Sequence, residues 1–309
     1  MAGPASSAAA GERVWRSLPP GARQALEDQL SPTDLQTLLL MVARARARRV
    51  RLPGLVERWQ SDRFVRPSDV DPRQLAEVEL RIWRLLPPEV IGLDLSPVAP
   101  LGTCSRIASI DQNRVVSTVR SSEVVSDPTN VLAIEASTRR RRSRSPVHLA
   151  ACHRVLRGQR YDAPGTSQHF KLFALVSTDR DSGSAHTEAQ LMITHLQFWR
   201  SVLAAFQAVV GRVAVTVIGN ATLQERLADT VMPALGGIDV VEDPDRTGGI
   251  GYYRSAAFKI ISRSDGHQIE LGDGGFTDWT AKLMADAKER CLVSCLSTER
   301  LTQMISGQR

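Results

Sequence analysis

The stretch that decides the fold runs from Ala151 to Phe173 and reads ACHRVLRGQRYDAPGTSQHFKLF. Its pattern predicts a strand that carries Arg157 and Gln159 at its end, then a polar turn through Pro164 and Gly165, and then a returning strand. Because side chains alternate along a strand, the arginine and the glutamine point to the same face.

The returning strand carries His169, Lys171 and Phe173, which also share a face. If the two faces coincide, one wall presents the Arg157 guanidinium, the Gln159 amide, an imidazole and an aromatic ring. Such a wall suits a nucleotide, because a guanidinium binds phosphate with two hydrogen bonds, an amide reads a base edge and a ring stacks on a purine. The alternative is a solvated hairpin whose phenylalanines point into a core.

The sequence Arg157-x-Gln159, a loop, and His169-x-x-x-Phe173 resembles motif 2 of the class II aminoacyl-tRNA synthetases, which is Arg-x-Glu, a loop, and Arg or His-x-x-x-Phe. The resemblance implies that Arg157 binds the α-phosphate of ATP and the carboxylate of an amino acid. It also implies that Phe173 stacks on adenine, with His169 beside it. Gln159 replaces the family's acid, and its amide would contact the adenine amino group.

A second segment, Asp127-Pro128-Thr129, resembles the part of histidyl-tRNA synthetases in which an acid, one residue and a threonine open a helix after a strand. The resemblance implies that Asp127, with Thr129, binds the α-ammonium group of an amino acid in a pocket that excludes water. The alternative is that Asp127 only caps a helix that begins with proline.

Two later segments extend the resemblance to histidyl-tRNA synthetases. GGIGYYRSAAFKI, residues 248–260, is similar to their Arg-Gly-Leu-Asp-Tyr-Tyr-Thr, and LGDGGFTDWTAKL, residues 271–283, to their Gly-Gly-Gly-Arg-Tyr-Asp-x-Leu. Glycine there allows backbone to approach a small ligand or to adopt a positive φ, although a glycine-rich β-turn would need it as well. The substrate-binding candidates from these segments are Tyr252, Tyr253, Gly274 and Gly275.

Near the C-terminus, CLVSCLSTERL ends in Glu299-Arg300-Leu301 and resembles motif 3, a strand that leads into a helix. The resemblance implies that Arg300, with Glu299 beside it, lies on the β- and γ-phosphates of ATP. We therefore expect Arg157 and Arg300 to be the two catalytic residues, converging on one triphosphate.

The chain also departs from the family pattern. Gly248 stands where histidyl-tRNA synthetases have their histidine-specific arginine, with Arg246 nearby, and Gly251 replaces the aspartate before the paired tyrosines. Ser297 and Thr298 replace the glycines that precede the motif 3 pair. Because the chain ends at Arg309, we expect no anticodon-binding domain and no housekeeping role in charging tRNA.

The predicted fold class is α+β, a mixed and mostly antiparallel sheet flanked by helices, with a small N-terminal helical prefix. We expect residues 1–12 to be disordered because they are mostly alanine, serine and glycine. Residues 13–86 form the helical prefix, in which Ser31-Pro32 and Asp71-Pro72 mark helix starts. Residues 87–309 form the synthetase-like core.

Composition also bears on localisation, metal binding and RNA binding. The sequence has neither an apolar run long enough to cross a bilayer nor a signal peptide, so we expect a cytoplasmic protein without a membrane partner. Its four cysteines lack paired C-x-x-C spacing, which predicts free thiols and no metal site. Basic residues outnumber acidic ones by 39 to 33, which is compatible with RNA without requiring it. We expect the Arg139–Ser145 run to be an exposed, mobile loop.

The functional prediction is a stand-alone, class II synthetase-like ligase that uses ATP and Mg²⁺ to activate an amino acid or similar carboxylate as an acyl-adenylate. The acceptor would be a carrier-protein thiol, an amine or a tRNA. The alternative is a non-catalytic paralogue that resembles the regulatory subunit of ATP phosphoribosyltransferase. A third reading is an RNA-binding protein that uses its arginine clusters. The family resemblance also implies a homodimer with its interface around Glu77–Pro100.

Overall fold

A computed structural model describes residues 4–159, 167–206, 210–235, 240–249, 251–264 and 267–307. The chain divides into two compact units: one comprises the chain up to Asp62 with Ser117–Ser122, and the other comprises Arg63–Val116 and the chain from Glu123 onward. Within the described residues, no helix is both long and apolar enough to cross a membrane.

The first unit is helical. Serine 31 caps α3, because its hydroxyl accepts a hydrogen bond from the Asp34 amide at 3.1 Å. Helix α1 occupies much of the segment that we expected to be disordered, and its alanine-rich sequence favours a helix. The helices are α1 Pro4–Arg16, α2 Ala22–Gln24 continued by a π-helical turn Ala25–Gln29, α3 Pro32–Ala47 and α4 Leu52–Ser61.

The second unit begins earlier than the predicted boundary at residue 87. Helix α5 belongs to it, because Val78 and Ile82 are part of the main core cluster. The elements up to the long hairpin are α5 Pro72–Arg84, β1 Val90–Leu93, β2 Val98–Pro100, α6 Thr103–Ile107, a 3-10 turn Gln112–Arg114, β3 Ser122–Val124, α7 Pro128–Arg140, β4 Val147–Leu156 and β5 His169–Arg180.

The remaining elements complete the sheet and its helices. They are α8 His186–Ala205, β6 Val210–Val217, α9 Ala221–Arg226 continued by a π-helical turn Leu227–Val231, α10 Met232–Leu235, β7 Val240–Glu242, β8 Ala256–Ser264, β9 His267–Thr277, α11 Trp279–Met284, β10 Glu289–Ser297 and α12 Thr298–Ser306.

Eight strands form one sheet in the order β1-β4-β5-β10-β9-β8-β6-β7. Only the two outermost pairs, β1 with β4 and β6 with β7, are parallel among the described strands of this sheet. The prediction of a mixed, mostly antiparallel sheet flanked by helices is therefore confirmed.

The sheet has two packed faces. On the rear face, Phe173 and Leu175 of β5 pack with residues of α5, α8 and α12. On the front face, Ala174 and Val176 of the same strand pack with residues of α7 and α11. The alternation of side chains along β5 thus assigns successive residues to two separate cores.

The structure of the segment between β2 and β3 differs from the one that its sequence predicts. The sequence predicts strands or strand ends at RIASI, residues 106–110, and RVVSTV, residues 114–119. In the structure, α6 ends within the first segment and the 3-10 turn ends at the first residue of the second. The buried carboxylate of Glu123 accepts hydrogen bonds from the backbone amides of Gly102 and Cys104, both at 2.8 Å. A residue distant in sequence therefore satisfies the amides at the start of α6, which local propensity alone does not reveal.

Candidate functional site

The ends of β4 and β10 lie at the same edge of the sheet. Both strands pair with β5 and are antiparallel to it, so their C-terminal ends flank the beginning of β5. Arg157 follows β4, and Arg300 lies in the first turn of α12 after β10. Two strand spacings, about 10 Å, separate the strands that lead to these arginines.

Arg157 lies on the front face. Its amide donates to the Gln168 carbonyl at 2.9 Å, so the two residues are opposite each other and share a face. The guanidinium carbon lies 5.1 Å from the centroid of the Phe170 ring, and Nε donates to the Ser126 carbonyl at 3.1 Å. Arg157 thus ties the end of β4 to the segment that leads into α7.

His169 and Phe173 lie on the rear face, so the predicted single wall is wrong in its second strand. His169 pairs with Leu156, and its imidazole lies between the Arg154 guanidinium, 2.9 Å from Nδ1, and the Arg66 carbonyl. The Phe173 ring is fully buried. A ring without exposed surface cannot stack on a ligand.

Aromatic neighbours enclose Phe173 in the rear core. The centroid of the Trp83 ring lies 4.6 Å away and that of Phe198 lies 5.7 Å away. Phe170, three residues earlier, is half-buried on the front face beside Arg157. The ring that accompanies the site arginine is therefore Phe170, which the sequence reading missed.

The segment after Arg157 is held against the 3-10 turn. The Gly158 amide donates to the Arg114 carbonyl at 2.8 Å, and a Cβ on Gly158 would lie 2.9 Å from that same oxygen. Gln159 follows and is exposed. The predicted turn through Pro164 and Gly165 lies outside the described residues.

The motif 3 pair occupies two different environments. Ser297 caps α12 by accepting from the Arg300 amide at 3.3 Å, and the exposed Arg300 side chain donates to the Glu270 carbonyl. Glu299 is buried, and its carboxylate pairs with Arg154 Nη2 at 2.6 Å. Arg154 therefore links Glu299 to the rear-face imidazole of His169, and the convergence of Arg157 and Arg300 on one ligand stays a prediction.

Asp127 is the N-cap of α7. Its Oδ1 accepts from both the amide and the hydroxyl of Thr129, at 2.9 and 2.7 Å. The other oxygen, Oδ2, makes no hydrogen bond within the described part of the chain. The capping role is thus present, and it leaves one carboxylate oxygen for a ligand beside the helix N-terminus.

Tyr253 and Asp273 form the floor of the front face. The Tyr253 hydroxyl donates to Asp273 Oδ2 at 3.0 Å, and 35% of the Asp273 side chain remains accessible. Burial raises the pKa of the Asp273 carboxyl, and the charge of Glu270 adds to the rise. Burial also raises the pKa of the Tyr252 hydroxyl far above its usual value, with a contribution from the charges of Asp127 and Asp273. The Tyr252 hydroxyl therefore stays protonated at neutral pH.

Arg246 packs beside Tyr253 and Asp273. Its side chain is almost fully buried, with the guanidinium carbon 5.5 Å from the Tyr253 ring centroid and Nη2 3.8 Å from Asp273 Oδ2. Nε donates to the Gly248 carbonyl at 2.7 Å. Nη1 is buried without a hydrogen-bond partner in the described structure. A buried guanidinium nitrogen without an acceptor is costly, which marks this atom as a donor available to a ligand.

The two candidate glycines accommodate side chains of the protein itself. A Cβ on Gly275 would lie 2.5 Å from the Tyr253 ring, and one on Gly274 would lie 2.5 Å from the Phe258 ring. Neither glycine has a positive φ. We predicted that glycine allows a ligand to approach the backbone. In the structure it instead allows the rings of Tyr253 and Phe258 to pack against the backbone.

The sequence reading did not select three front-face residues as site residues: Phe170, Asp273 and Arg246, the last of which it noted only as lying near the position of the family's histidine-specific arginine. Asp273 carried a detectable signal, because it lies between Gly272 and Gly274 in the glycine-rich segment that the sequence had already singled out. Phe170 carried none, since the register across the loop decides which face its side chain occupies. The signal for Arg246 was its position near the family's histidine-specific arginine, but the folding of residues 243–249 decides where its side chain lies.

The front face combines both signs of charge. Arg157 and Arg246 contribute guanidinium groups, and Asp127 and Asp273 contribute carboxylates. Burial raises the pKa of the Cys295 thiol well above its usual value, which keeps it neutral. In the described residues, no group of three or more histidine, cysteine or acidic side chains could hold a metal ion.

No family model and no curated protein matches the sequence. Solved structures are similar in fold. The apo histidyl-tRNA synthetase of S. aureus has a TM-score of 0.60 at 16% identity, with 78% of this chain and 70% of that chain covered. An ATP phosphoribosyltransferase regulatory subunit/histidyl-tRNA synthetase from Bacillus halodurans also has a TM-score of 0.60, at 11% identity over 78% of this chain and 82% of that chain.

A histidine–tRNA ligase subunit from Alicyclobacillus acidocaldarius has a TM-score of 0.58 at 13% identity, and the match covers 79% of this chain and 97% of that chain. At these low sequence identities, the structural similarity establishes the fold alone.

Proposed function

Starting from a core with the fold of the histidyl-type class II aminoacyl-tRNA synthetases, we propose that this chain binds ATP with an amino acid or similar carboxylate and joins the two as an acyl-adenylate. The observation that carries the proposal is the Arg157 guanidinium 5.1 Å from the Phe170 ring centroid on the front face. This pair supplies a phosphate donor beside a surface on which a purine can stack.

The charges of the front face favour an amino acid as the second ligand. A zwitterion carries one ammonium and one carboxylate group, and the site carries groups of both signs. Asp127 Oδ2 would accept from the ammonium group, with Thr129 fixing the carboxylate orientation. Arg246 Nη1, which has no hydrogen-bond partner among the described residues, would donate to the ligand from the other side. Tyr252, Tyr253 and Asp273 would line the space for its side chain.

In the proposed reaction a carboxylate oxygen of the substrate attacks the α-phosphorus of ATP. A carbon–oxygen–phosphorus linkage forms as the bond between the α-phosphorus and its bridging oxygen breaks, and pyrophosphate leaves. Arg157 would neutralise charge on the α-phosphate, and Arg300 would bind the outer phosphates. No side chain has to act as a nucleophile or base, so catalysis would consist of positioning and electrostatic stabilisation.

Among the described residues, the acid of the motif 3 pair is not available as a ligand for Mg²⁺. Protein-bound Mg²⁺ beside phosphates takes one or two carboxylates as ligands. Glu299, the acid of the motif 3 pair, is engaged by Arg154 at 2.6 Å. No step of the proposal therefore depends on a metal held by this chain.

A second candidate is a regulatory module that binds ATP or an amino acid without turnover. It is favoured by the engagement of Glu299 with Arg154 and of Arg300 with the Glu270 carbonyl. One structure of similar fold is described as a regulatory subunit of ATP phosphoribosyltransferase as well as a histidyl-tRNA synthetase. To bind the outer phosphates of ATP in the proposed reaction, the Arg300 side chain would have to leave the Glu270 carbonyl. The regulatory module does not require this movement.

Amino-acid-dependent exchange of pyrophosphate into ATP separates the two candidates. Each standard amino acid would be tested with the wild type, with Arg157→Gln and with Arg120→Gln, an exposed arginine outside the site. Exchange that Arg157→Gln abolishes and Arg120→Gln retains supports the ligase. Calorimetric binding of ATP or an amino acid without exchange supports the regulatory module, and absence of binding refutes both. For a ligase, the acceptor would then be sought among carrier-protein thiols, amines and tRNA.

We also propose that the second unit forms a homodimer through the predicted region Glu77–Pro100. Two apolar side chains there, Leu80 and Ile91, are 50% and 48% exposed, and β1 is an edge strand of the sheet. Exposed apolar side chains and an edge strand both favour association. Light scattering of the wild type and of Leu80→Lys tests it, with a dimer expected for the former and a monomer for the latter.

A further inference from the structure

A cavity of about 620 Å³ lies at the C-terminal end of α7, and five arginines line it: Arg140, Arg141, Arg142, Arg144 and Arg180. The candidate site adjoins the other end of the same helix, at Asp127 and Thr129. Because α7 has 13 residues and a helix rises 1.5 Å per residue, about 20 Å separates the two places. The cavity, which we call the arginine pocket, is therefore separate from the candidate site.

Arg140 organises the pocket. Its guanidinium is buried and pairs with Glu289 through Nε at 3.1 Å and Nη2 at 2.9 Å. Nη1 donates to the carbonyls of Arg144 and Ser145, the latter at 2.7 Å. The chain after α7 is therefore folded around a buried cation instead of forming the wholly exposed, mobile run that the sequence predicted.

The remaining arginines give the pocket a surplus of positive charge. Arg180 pairs with Asp286, and Arg141 Nη2 donates to the Leu283 carbonyl at 2.7 Å. Five arginines against the two lining acids, Glu289 and Asp286, leave a surplus of three positive charges. Asp179, 3.4 Å from Arg140, reduces it to two when counted. With either count the pocket has a net positive charge, which attracts anions.

Arg142 and Arg144 are the arginines available to a ligand. Both are exposed, and neither side chain makes a hydrogen bond or ion pair in the part of the chain that the structure describes. The lining residues include Met284 but no aromatic ring on which a base could stack. The pocket thus offers guanidinium donors for phosphate oxygens and no reader for a base.

We propose that the arginine pocket binds neighbouring phosphate groups, with Arg142 and Arg144 as the contacting residues. The phosphates come from an RNA backbone or from a small polyphosphate, which present the same chemistry. The proposal does not depend on the activity proposed for the front face.

The test compares Arg142→Gln/Arg144→Gln with the wild type in binding a fluorescent 12-nucleotide oligouridylate and inorganic tripolyphosphate. The matched control, Arg73→Gln/Arg120→Gln, removes two exposed arginines elsewhere and changes the net charge equally. Arg142→Lys/Arg144→Lys preserves the charge. Thermal melting of all variants verifies that they fold, as expected because Arg142 and Arg144 lose no side-chain hydrogen bond or ion pair within the described residues.

We expect the glutamine variant to bind at least one probe roughly tenfold more weakly, the lysine variant to retain most of the affinity and the control to bind like the wild type. Loss for the oligouridylate, with a salt dependence that decreases by about 1.4 in slope, identifies an RNA backbone. Loss for tripolyphosphate alone identifies a small ligand. The proposal is overturned if neither probe binds, or if the control loses as much affinity as the glutamine variant.

Discussion

Arg140 and Glu289 are separated by 149 positions in the sequence and form a two-pronged ion pair, with side chains only 2% and 3% exposed. The pair joins the end of α7 to the start of β10. It therefore connects the front-face helix to the strand that leads to Arg300.

Breaking this pair on one side should be costly. We expect Arg140→Met to lower the free energy of unfolding by about 3–5 kcal/mol, because it leaves the Glu289 carboxylate buried without a partner. Arg140→Met/Glu289→Met should recover most of the loss. Urea unfolding measures both, with the exposed Arg142→Met as control. Equal stability of the single and double variants would contradict this account.

The pH dependence of stability should contain a contribution from His195. Its Nδ1 lies 2.8 Å from the Ser294 hydroxyl and its Nε2 lies 2.9 Å from the Ser177 hydroxyl. The Trp199 indole N–H also donates to the Ser294 hydroxyl at 2.8 Å. Because each serine hydroxyl can both donate and accept, the two contacts suit a neutral imidazole in either tautomer. Burial lowers the pKa of His195 to about 3.

An unfolded histidine has a pKa of about 6.5, so between about pH 6.5 and pH 3 the unfolded chain binds a proton that the folded chain does not. The stabilisation is present above pH 6.5 and is lost as the pH falls, by about 1.4 kcal/mol per pH unit for this group. His195→Gln should reduce the slope of unfolding free energy against pH by one proton between pH 6 and 4. The exposed His186 of the same helix provides the control, and an unchanged slope in His195→Gln would refute the assignment.

Gly275 should be intolerant of a side chain. In Gly275→Ala the new Cβ would meet the Tyr253 ring at 2.5 Å and the Ala256 carbonyl at 2.7 Å. We expect a loss of about 1–3 kcal/mol in unfolding free energy, since the clash involves backbone as well as the ring. Gly248→Ala, where nothing lies within 4 Å of the new Cβ, should be close to neutral. Thermal and urea unfolding compare the two, and similar losses would show that Tyr253 does not pack as described.

Truncation of Phe173 should mainly lower stability, whereas truncation of Phe170 should mainly lower the affinity for ATP. Phe173→Ala should lower the free energy of unfolding by about 3–5 kcal/mol, because the ring is fully buried among Trp83, Phe198 and Trp199. Phe170→Ala should weaken ATP binding by roughly tenfold or more while costing less stability. Calorimetric titration and urea unfolding measure the two effects. Normal ATP affinity in Phe170→Ala would remove the adenine role from the front face.

Local rules in the sequence predicted several elements correctly. Ser31-Pro32, Asp71-Pro72 and Asp127-Pro128 each begin a helix, because a capping side chain and a proline act within one turn. The strands before and after the turn that follows Arg157 also follow from the alternation of side chains. The α6 segment did not, since its helix start is capped by Glu123 from a later part of the chain.

The sequence by itself determined that Arg157 lies at the end of a strand and that His169, Lys171 and Phe173 share one face of the next. Tertiary structure alone decided which face that is. Arg157 is paired with Gln168 and Leu156 with His169, so the arginine shares its face with Phe170 and the imidazole does not. The physical reason is the two-residue period of a strand: a one-residue change of register moves every side chain to the opposite face, and strand alternation alone does not set the register across the intervening turn.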